Sequence, residues 1–227
     1  MSKKRIAIYG GNGFIGSHIA AALSLENDFC VLCLSRTGHK PAHLREVPWS
    51  ANVRWCQGDA LKPDRTILQS AEAVVVSIGS PPLPTLTTAG FQQQLIQNGR
   101  TNEAVIEAAI EAGVKKLIVV GAHLPKFMQQ DWFAYAEGKK LALAAANKFA
   151  ATTKQHRALV MQPGMVAGVR HTSSGTPINL RRWFSPLAKL MPAQVTDVTR
   201  IAERVSDFLQ NPQQYESALT VLSRSEI

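Results

Sequence analysis

Near the start of the sequence, residues 5–16 read RIAIYGGNGFIG, an apolar run followed by closely spaced glycines. Arg5–Tyr9 has the composition of a short buried strand, because its apolar residues are continuous rather than alternating with polar ones. Phe14–Leu25 then follows a helical pattern. A strand, a glycine turn and a helix in this order form the first half of a βαβ unit, which predicts a parallel sheet.

The glycines at positions 10, 13 and 16 have the spacing GxxGxxG. In a dinucleotide-binding turn the first glycine permits a tight exit from the strand, the second a close approach to a pyrophosphate, and the third close packing of helix on sheet. The helix N-terminus offers free N–H groups and the positive end of its dipole to such an anion. We therefore predict that the cofactor-binding turn consists of Gly10, Gly11, Asn12, Gly13, Phe14, Ile15 and Gly16. A purely structural turn is the alternative.

Apolar runs that suit buried strands recur along the whole chain. They lie at Phe29–Leu34, Val53–Gln57, Ala73–Ile78, Lys116–Val120, Arg157–Met161 and Ala218–Leu222. Helical patterns lie between or after them, at Gln92–Ala112, Phe133–Phe149, Ile178–Leu190 and Ile201–Leu209. Strands that alternate with helices predict an α/β fold with a Rossmann-type, doubly wound parallel sheet, covered by helices on both faces.

The domain organisation follows from length and from a change of character late in the chain. Residues 1–227 are long enough for one domain of this type. Met165–Pro177 has the composition of a loop, with Gly, Ser and Pro. We expect the residues from about 165 to 195 to form a small C-terminal lobe on the substrate side of the sheet.

Composition excludes several classes of protein. With 45% hydrophobic and 18% charged residues, the chain is globular rather than disordered. No apolar run approaches the roughly 18 residues of a membrane-spanning helix, and the first residues lack the apolar region of a signal peptide. The three cysteines argue against a disulfide scaffold and indicate a reducing compartment, so we expect a cytoplasmic location.

The net charge calls for an anionic partner or a solvated basic surface. Twenty-five Lys and Arg against 16 Asp and Glu give a net charge of +9. Because these cations are dispersed and match no nucleic-acid module, we expect no nucleic-acid partner. The sequence gives no indication of oligomeric state. One amphipathic segment combines cations with apolar residues, namely Arg181, Arg182, Trp183, Phe184, Leu187, Lys189 and Leu190. It suits the lid of a substrate pocket or peripheral contact with an anionic membrane.

The end of the second predicted strand indicates the type of cofactor. Ser35, Arg36 and Thr37 stand there, with no carboxylate nearby. NAD-binding proteins usually place an acidic residue at this point for the ribose hydroxyls. Arg36 is able to clamp a 2′-phosphate with two hydrogen bonds, and Ser35 and Thr37 are able to donate to it. We therefore predict NADP as the cofactor, with NAD less favoured; a solvated arginine is the alternative.

Two cysteines and one aspartate each have two interpretations. Cys30 and Cys33 have the spacing of a metal or redox pair, but they lie inside an apolar strand, so we expect buried, inert thiols and no metal site. Asp59, followed by Ala60 after the third predicted strand, is placed to accept a hydrogen bond from an adenine amine. It is equally able to cap the turn that follows it.

Together these features resemble the short-chain dehydrogenase/reductase superfamily in its extended or atypical branch, which includes NAD-dependent epimerases and dehydratases. The resemblance covers nearly the whole chain. Gly10–Gly16 looks like the glycine motif of that branch, and Asp59 matches its adenine-side aspartate. Asn98–Ala112 resembles its fourth helix, and Val195–Ala202 resembles the start of its C-terminal helix.

Further positions follow from the same resemblance. Gln162-Pro163-Gly164 resembles the Arg-Pro-Gly turn of the branch, with Gln in place of Arg, which implies that Pro163 borders the cofactor. Residues Ser77, Ile78 and Gly79 would lie by its ribose or nicotinamide. Asn98 resembles an asparagine that some relatives use in a proton relay, and a structural role is equally open. A closer likeness is to a divergent subgroup that includes a yeast oxidoreductase-like protein associated with ubiquinone synthesis and the NADPH-binding accessory subunit of respiratory complex I.

The resemblance also implies the catalytic residues. Tyr135 and Lys139 match the YxxxK motif of the superfamily and are one helical turn apart. Tyr135 would serve as the general acid/base. Lys139, together with the positive nicotinamide ring, would lower the pKa of the tyrosine, and it would also hold the nicotinamide ribose. The serine of the family falls at Ala122, which has no hydrogen-bond donor in its side chain. His123 is the candidate replacement.

These features predict an NADP(H)-binding oxidoreductase that acts on a small carbonyl, quinone or sugar-like substrate. The absence of a serine at Ala122 leaves an alternative. In that alternative the protein is a weakly active or non-catalytic NADP-binding protein, structural or regulatory, linked to quinone metabolism.

Overall fold

A computed structural model describes residues 3–172, 174–190, 194–215 and 217–227. The strands are β1 (Lys4–Tyr9), β2 (Phe29–Ser35), β3 (Val53–Gln57), β4 (Ala73–Val76), β5 (Lys116–Val120), β6 (Arg157–Gln162), β7 (Met165–Ala167), β8 (Val169–His171), β9 (Pro177–Asn179), β10 (Val195–Asp197) and β11 (Leu219–Ser223). The helices are α1 (Phe14–Ser24), α2 (Arg65–Gln69), α3 (Thr88–Leu95), α4 (Thr101–Glu111), α5 (Ala134–Thr152), α6 (Leu180–Leu190) and α7 (Val198–Gln210).

Seven strands form one sheet in the order β11-β6-β5-β4-β1-β2-β3. Every neighbouring pair in it is parallel. The connections reverse direction between β1 and β4, and ligands of open α/β sheets bind in the crevice at such a point, outside the carboxyl ends of the strands. The predicted α/β, Rossmann-type sheet is confirmed.

Helices cover both faces of this sheet, because the strands are apolar on both sides. Ile6 and Ile8 of β1 face a core formed with α1 and α7, to which Ile19 and Phe208 contribute. Ala7 points to the opposite core, formed with α4 and α5. These residues are fully buried. Continuous burial of this kind requires a parallel sheet between two helical layers.

The helix predicted at Gln92–Ala112 begins earlier and is interrupted. Its first segment, α3, begins at Thr88, because the Thr87 hydroxyl accepts a hydrogen bond from the Gly90 backbone N–H at 3.1 Å. A π-helical turn over Ile96–Arg100 then separates α3 from α4. Such turns insert one residue into the helical repeat and are frequent at functional sites.

The prediction that Met165–Pro177 is a loop is wrong. In this region β7 pairs in parallel with β10, and β8 pairs antiparallel with β9. The turn of the β8–β9 hairpin contains Gly175 at a φ of +91°, and the Thr172 carbonyl accepts the Gly175 N–H at 2.9 Å. Strands of three residues are too short to show a two-residue hydrophobic period.

Smaller differences concern the ends of elements. Strand β4 ends at Val76 rather than Ile78, and the Ile78 carbonyl accepts a hydrogen bond of 3.3 Å from the Asn102 side chain instead of one from a neighbouring strand. Helix α6 begins at Leu180, after the strand that contains Ile178. In the described ranges, no helix has the length and the hydropathy that crossing a membrane requires.

Candidate functional site

The glycine turn lies directly after β1, as predicted. Gly10 has a φ of +86°, and a Cβ atom there would lie 2.5 Å from the carbonyl oxygen of Ser77. The Gly13 N–H donates a hydrogen bond of 2.9 Å to the Gly10 carbonyl. A Cβ on Gly16 would collide with that same carbonyl. Glycine is therefore required at both positions by the close approach of the turn to β4 and of α1 to the turn.

The first turn of α1 has the properties of an anion site. Gly13 is its N-cap and supplies no side-chain oxygen to the free N–H groups, and the first turn contains no acidic residue. Asn12 donates from Nδ2 to the carbonyl oxygen of His39 at 2.8 Å, whereas its Oδ1 is buried and has no hydrogen-bond partner among the described residues. Uncapped N–H groups and a positive dipole end fit the diphosphate of a dinucleotide. The Asn12 Oδ1 atom is an acceptor, so it would need a donor such as a hydroxyl group.

The loop after β2 keeps Arg36 exposed. Its guanidinium forms no ion pair within the described ranges, and its carbonyl oxygen accepts a hydrogen bond from Gln57 at 3.1 Å. Ser35 and Thr37 accept from the backbone N–H groups of Gly38 and His39, at 3.1 and 3.5 Å. Each hydroxyl retains a proton to donate, so the arrangement is compatible with the predicted phosphate clamp.

Asp59 caps its own turn in the structure. Its Oδ1 accepts the Leu61 N–H at 2.9 Å, and its backbone carbonyl accepts the Lys62 N–H at 3.1 Å. This is one of the two roles predicted for it. Asp59 is exposed and Ala60 is half-buried. Because β3 lies beside β2, the turn is at the same end of the sheet as Ser35.

The segment after β4 connects the glycine turn to Lys139. Ser77 donates its N–H to the Tyr9 carbonyl at 2.9 Å, which holds it beside Gly10. Two residues later, a Cβ on Gly79 would lie 3.6 Å from the Lys139 ammonium nitrogen and 3.0 Å from Asn98 Oδ1. The structure thus brings the predicted residues Ser77, Ile78 and Gly79 between the two parts of the candidate site.

Asn98 has the structural role that the sequence left open. Its side chain lies in the π-helical turn and is fully buried. Oδ1 accepts the Ser80 N–H at 3.0 Å, and Nδ2 donates to the Ser80 hydroxyl at 2.8 Å and to the Gln94 carbonyl at 3.1 Å. The amide therefore holds the loop after β4 through Ser80, and its second donor hydrogen bonds to the preceding turn of the helix.

Tyr135 and Lys139 lie on one face of α5. The Lys139 Nζ atom is 5.5 Å from the centroid of the Tyr135 ring and donates a hydrogen bond of 3.2 Å to the Val120 carbonyl. Burial lowers the pKa of Lys139 to about 8. Burial also raises the pKa of Tyr135 to about 12. This value is for the protein without a cofactor, in which desolvation of the phenolate dominates. The lowering expected when Lys139 and the nicotinamide ring act together stays a prediction.

Two glycines that the sequence analysis missed place α5. A Cβ on Gly138 would lie 2.8 Å from Asn98 Cβ, and one on Gly99 would lie 2.7 Å from Gly138 Cα. This contact lets α5 approach the π-helical turn closely enough to bring Lys139 beside Gly79. The signal in the sequence is a glycine inside each of two otherwise helical patterns, a sign of close backbone packing.

The loops after β5 and β6 are joined where the family serine would stand. The His123 N–H donates a hydrogen bond of 2.8 Å to the Pro163 carbonyl, and the Gly121 N–H donates one of 2.7 Å to the Met161 carbonyl. Ala122 lies between them and is half-buried, as is His123. His123 and Pro163 are therefore neighbours at the carboxyl edge of the sheet.

The cysteines of β2 lie beneath the site. Cys33 is fully buried against Gly11, where a Cβ would lie within 2.4 Å of its Sγ, and Cys30 is half-buried. Burial raises the pKa of Cys33 to about 12. A thiol this hard to ionise is a poor nucleophile and metal ligand.

Three comparisons with known proteins bear on this site. An uncharacterized chloroplastic protein of Arabidopsis thaliana is 31% identical over 196 residues, which cover 84% of this chain and 60% of that protein. The chain thus spans about three-fifths of this relative's length. A short-chain dehydrogenase/reductase from Serratia marcescens has a similar fold, with a TM-score of 0.70 and 17% identity over 98% of this chain and 96% of that one.

The third comparison is a solved complex. UDP-glucuronic acid 4-epimerase from Bacillus cereus, in complex with UDP-glucuronic acid and NAD, matches with a TM-score of 0.70 and 14% identity, over 96% of this chain and 76% of that one. At these identities the two structures show the fold alone. The model of a family described as NAD(P)H-binding matches residues 10–163, from the glycine turn to the loop after β6. The chain therefore belongs to this NAD(P)H-binding family, with the fold of the short-chain dehydrogenase/reductases and nucleotide-sugar epimerases.

Proposed function

We propose that the protein binds NADP(H) and transfers a hydride between this cofactor and a small carbonyl, quinone or sugar-like substrate. The observation that carries the proposal is the continuous path from Gly10 through Ser77 and Gly79 to Lys139. It joins a site suited to the diphosphate with a buried ammonium beside a tyrosine. This order of groups suits an extended dinucleotide that lies along the carboxyl edge of the sheet.

The residues of the chain have distinct roles in this proposal. The first turn of α1 would hold the diphosphate, with Asn12 Oδ1 free to accept a ribose hydroxyl. The bound cofactor supplies the hydride chemistry. Lys139 would hold the nicotinamide ribose, and Tyr135 would give a proton to the substrate oxygen. With its pKa near 12, Tyr135 is protonated at neutral pH and ready to donate in the direction of reduction.

The preference for NADP over NAD rests on Arg36. It is exposed at the end of β2, in the position where NAD-binding proteins usually place a carboxylate. Asp59, on the neighbouring loop, would lie on the adenine side while its Oδ1 caps the turn.

The direct test is oxidation of NADPH by the purified protein with a panel of quinones and carbonyl compounds. We expect turnover with at least one lipophilic or sugar-like acceptor, and its loss in Tyr135→Phe while NADPH binding is retained. Failure to bind either NADPH or NADH would overturn the proposal.

A specific observation favours a second candidate, an NADP-binding protein with little or no turnover. Ala122 offers no hydrogen-bond donor at the position of the family serine. Loss of one donor to a developing oxyanion typically costs about 10²–10³ in rate. Tight NADPH binding without turnover on the whole panel would favour this candidate and a structural or regulatory role linked to quinone metabolism. The closer likeness to the ubiquinone-associated subgroup supports such a link.

We also propose that α6 lies on the substrate side, with contact to an anionic membrane as the alternative role. Arg181 anchors the helix to the core through two hydrogen bonds to Asp197, of 2.8 and 2.9 Å. Trp183 is 74% exposed, and Arg182 and Lys189 are exposed as well. Leu187 and Leu190, also predicted for this surface, have side chains outside the described part of the structure. Co-sedimentation with vesicles, with and without anionic lipid, separates the two roles, with Trp183→Ser as the diagnostic variant.

The proposal also includes the cellular compartment in which the protein works. Three free cysteines suit a reducing compartment, such as the cytoplasm expected from the sequence. The Arabidopsis relative is described as chloroplastic, which suggests an organelle as the other candidate. Localisation of the tagged full-length protein in its own cells would decide between them.

A further inference from the structure

A narrow cavity lies against the first turn of α1, and two histidines from distant parts of the chain form its outer side. The residues that line it are Asn12, Gly13, Phe14, Ser17, His43, Val169 and His171. Four of them belong to the glycine turn and α1. His43 comes from the loop after β2, and Val169 and His171 come from β8.

The two histidines form a close, parallel pair. Their ring centroids are 3.9 Å apart and the ring planes differ by 8°. The β8–β9 hairpin approaches the same loop a second time, because a Cβ on Gly175 would lie 3.9 Å from His43 Cβ. Asn12 holds the loop on its inner side through the His39 carbonyl. The hairpin and the loop therefore close over the end of α1 that is suited to phosphates.

The electrostatic surroundings of the pair are basic. Burial lowers the pKa of His43 below its usual value, and the charges of His171 and His18 lower it further. These are the groups that face His43, from β8 and from α1. His18 is itself held by a contact of 2.8 Å between its Nδ1 and the Phe14 carbonyl. In the protein alone the ring of His43 is therefore neutral at pH 7.

We propose that His43 and His171 form the outer wall of the diphosphate site and take up one proton as a pair when a dinucleotide binds there. The inference rests on the proposed binding of NADP(H). A diphosphate at the N-terminus of α1 would place negative charge beside the same cavity. That charge favours the imidazolium form and supplies an acceptor for its N–H groups. Two stacked rings accommodate one proton but not two, because two like charges would lie face to face.

The sign of the resulting pH dependence follows from linkage. On this proposal the complex carries one more proton on the pair than the free protein does. Binding therefore strengthens as the pH falls from 8 towards 6. With one proton linked, affinity changes by up to about tenfold for each pH unit within this window.

ADP-ribose is the appropriate ligand for the test. It carries the diphosphate as a diester that does not titrate near neutral pH. It lacks the 2′-phosphate, whose own ionisation would add to the signal, and it lacks the nicotinamide. Isothermal titration calorimetry at pH 7 in two buffers of different ionisation enthalpy measures proton uptake directly. Titrations at pH 6 and pH 8 measure the affinity change.

We expect uptake of between half a proton and one proton, and binding about tenfold or more tighter at pH 6 than at pH 8. His43→Gln and His171→Gln should each reduce the uptake to near zero and flatten the pH dependence. His39→Gln is the matched control, since this exposed histidine of the same loop does not line the cavity and should retain the uptake. Thermal unfolding verifies that each variant is folded.

Three results would overturn the inference. The first is binding without proton exchange in the unaltered protein. The second is uptake that persists in both cavity variants. The third is binding that weakens as the pH falls, which would show that protonation pushes the hairpin away. A protein that binds neither ADP-ribose nor NADPH would contradict the proposed function itself, whereas binding without uptake would contradict this inference alone.

Discussion

The Nζ atom of Lys139 donates a hydrogen bond of 3.2 Å to the carbonyl oxygen of Val120, the last residue of β5. The ammonium is thereby withdrawn from water beneath the loop in which the family serine would lie. Its charged form is disfavoured there, since one neutral carbonyl replaces only part of the lost hydration.

Burial of this lysine should make stability depend on pH in a defined direction. Its pKa is about 8 in the folded chain against 10.5 for the ordinary side chain. Below pH 8 the lysine is charged in both the folded and the unfolded state, so the folded state bears the full desolvation cost of the buried ammonium. Between pH 8 and about 10.5 the unfolded state binds more protons, so this cost is removed as the pH rises. We expect Lys139→Met to be about 2–3 kcal/mol more stable at pH 7, and the difference to shrink by pH 10.

Urea unfolding of both proteins between pH 7 and 10 measures that difference. Comparison with the variant cancels the titration of tyrosines and cysteines common to both chains. A constant difference across the whole range would show that Lys139 is not desolvated.

Tyr135→Phe should remove proton donation without removing the ring that packs in the site. We expect NADPH oxidation to fall by about 10²–10⁴-fold, with the dissociation constant of NADPH changed less than twofold. Because burial raises the pKa of this hydroxyl to about 12, kcat/KM should show no ionisation of the tyrosine below pH 10. If the pH profile of kcat/KM has a limb near pH 8 that disappears in Lys139→Met, that limb reports the ionisation of Lys139. Equal turnover in Tyr135→Phe and the unaltered protein would show that Tyr135 takes no part in proton transfer.

Arg36→Ala should change cofactor preference. A charge-assisted, bidentate contact with the 2′-phosphate contributes about 1.5–3 kcal/mol, so NADPH binding should weaken at least tenfold while NADH binding changes less than twofold. Fluorescence titration with both cofactors measures the ratio. Arg54, an exposed arginine of the adjacent strand β3, provides the control variant Arg54→Ala, which should affect neither cofactor. Equal weakening of both cofactors would contradict the assignment.

The absence of a hydrogen-bond donor at position 122 predicts that introducing one should raise turnover. Ala122→Thr introduces a hydroxyl, and Ala122→Val introduces a side chain of the same shape without one. If the oxyanion lacks a donor, turnover should rise by about tenfold or more in the threonine variant alone. If His123 already serves as the donor, the threonine should add little, and His123→Phe should abolish turnover. A rise in both variants would indicate an effect of packing rather than of hydrogen bonding.

The sheet and the glycine turn were predictable because they depend on local patterns. Strand β1 was expected at Arg5–Tyr9 and lies at Lys4–Tyr9, since a continuous apolar run has one stable place between two helical layers. The pair Tyr135 and Lys139 was implied by the resemblance to the superfamily, whose YxxxK motif places the two side chains one helical turn apart on one face.

The remainder of the site depends on contacts between distant segments. Nothing in the residues around His43 indicates that its ring will stack on His171, and the strands of the β8–β9 hairpin are too short for periodicity to show. The raised pKa of Tyr135 in the protein alone was not predictable for a similar reason. Sequence places a lysine one turn away but does not give the extent to which both groups are removed from water.

The three residues Ser77–Gly79 have a consequence for engineering this protein. One end of the segment contacts Gly10 and the other borders Lys139, so a shift of a few tenths of an ångström at the nucleotide turn has a short route to the ammonium through close packing contacts. Substitutions that alter diphosphate binding at the turn should therefore also alter the orientation of the reacting groups. Affinity for the nucleotide and the rate of turnover should then change together. A library of variants at positions near Gly10 should include positions near Gly79 as well.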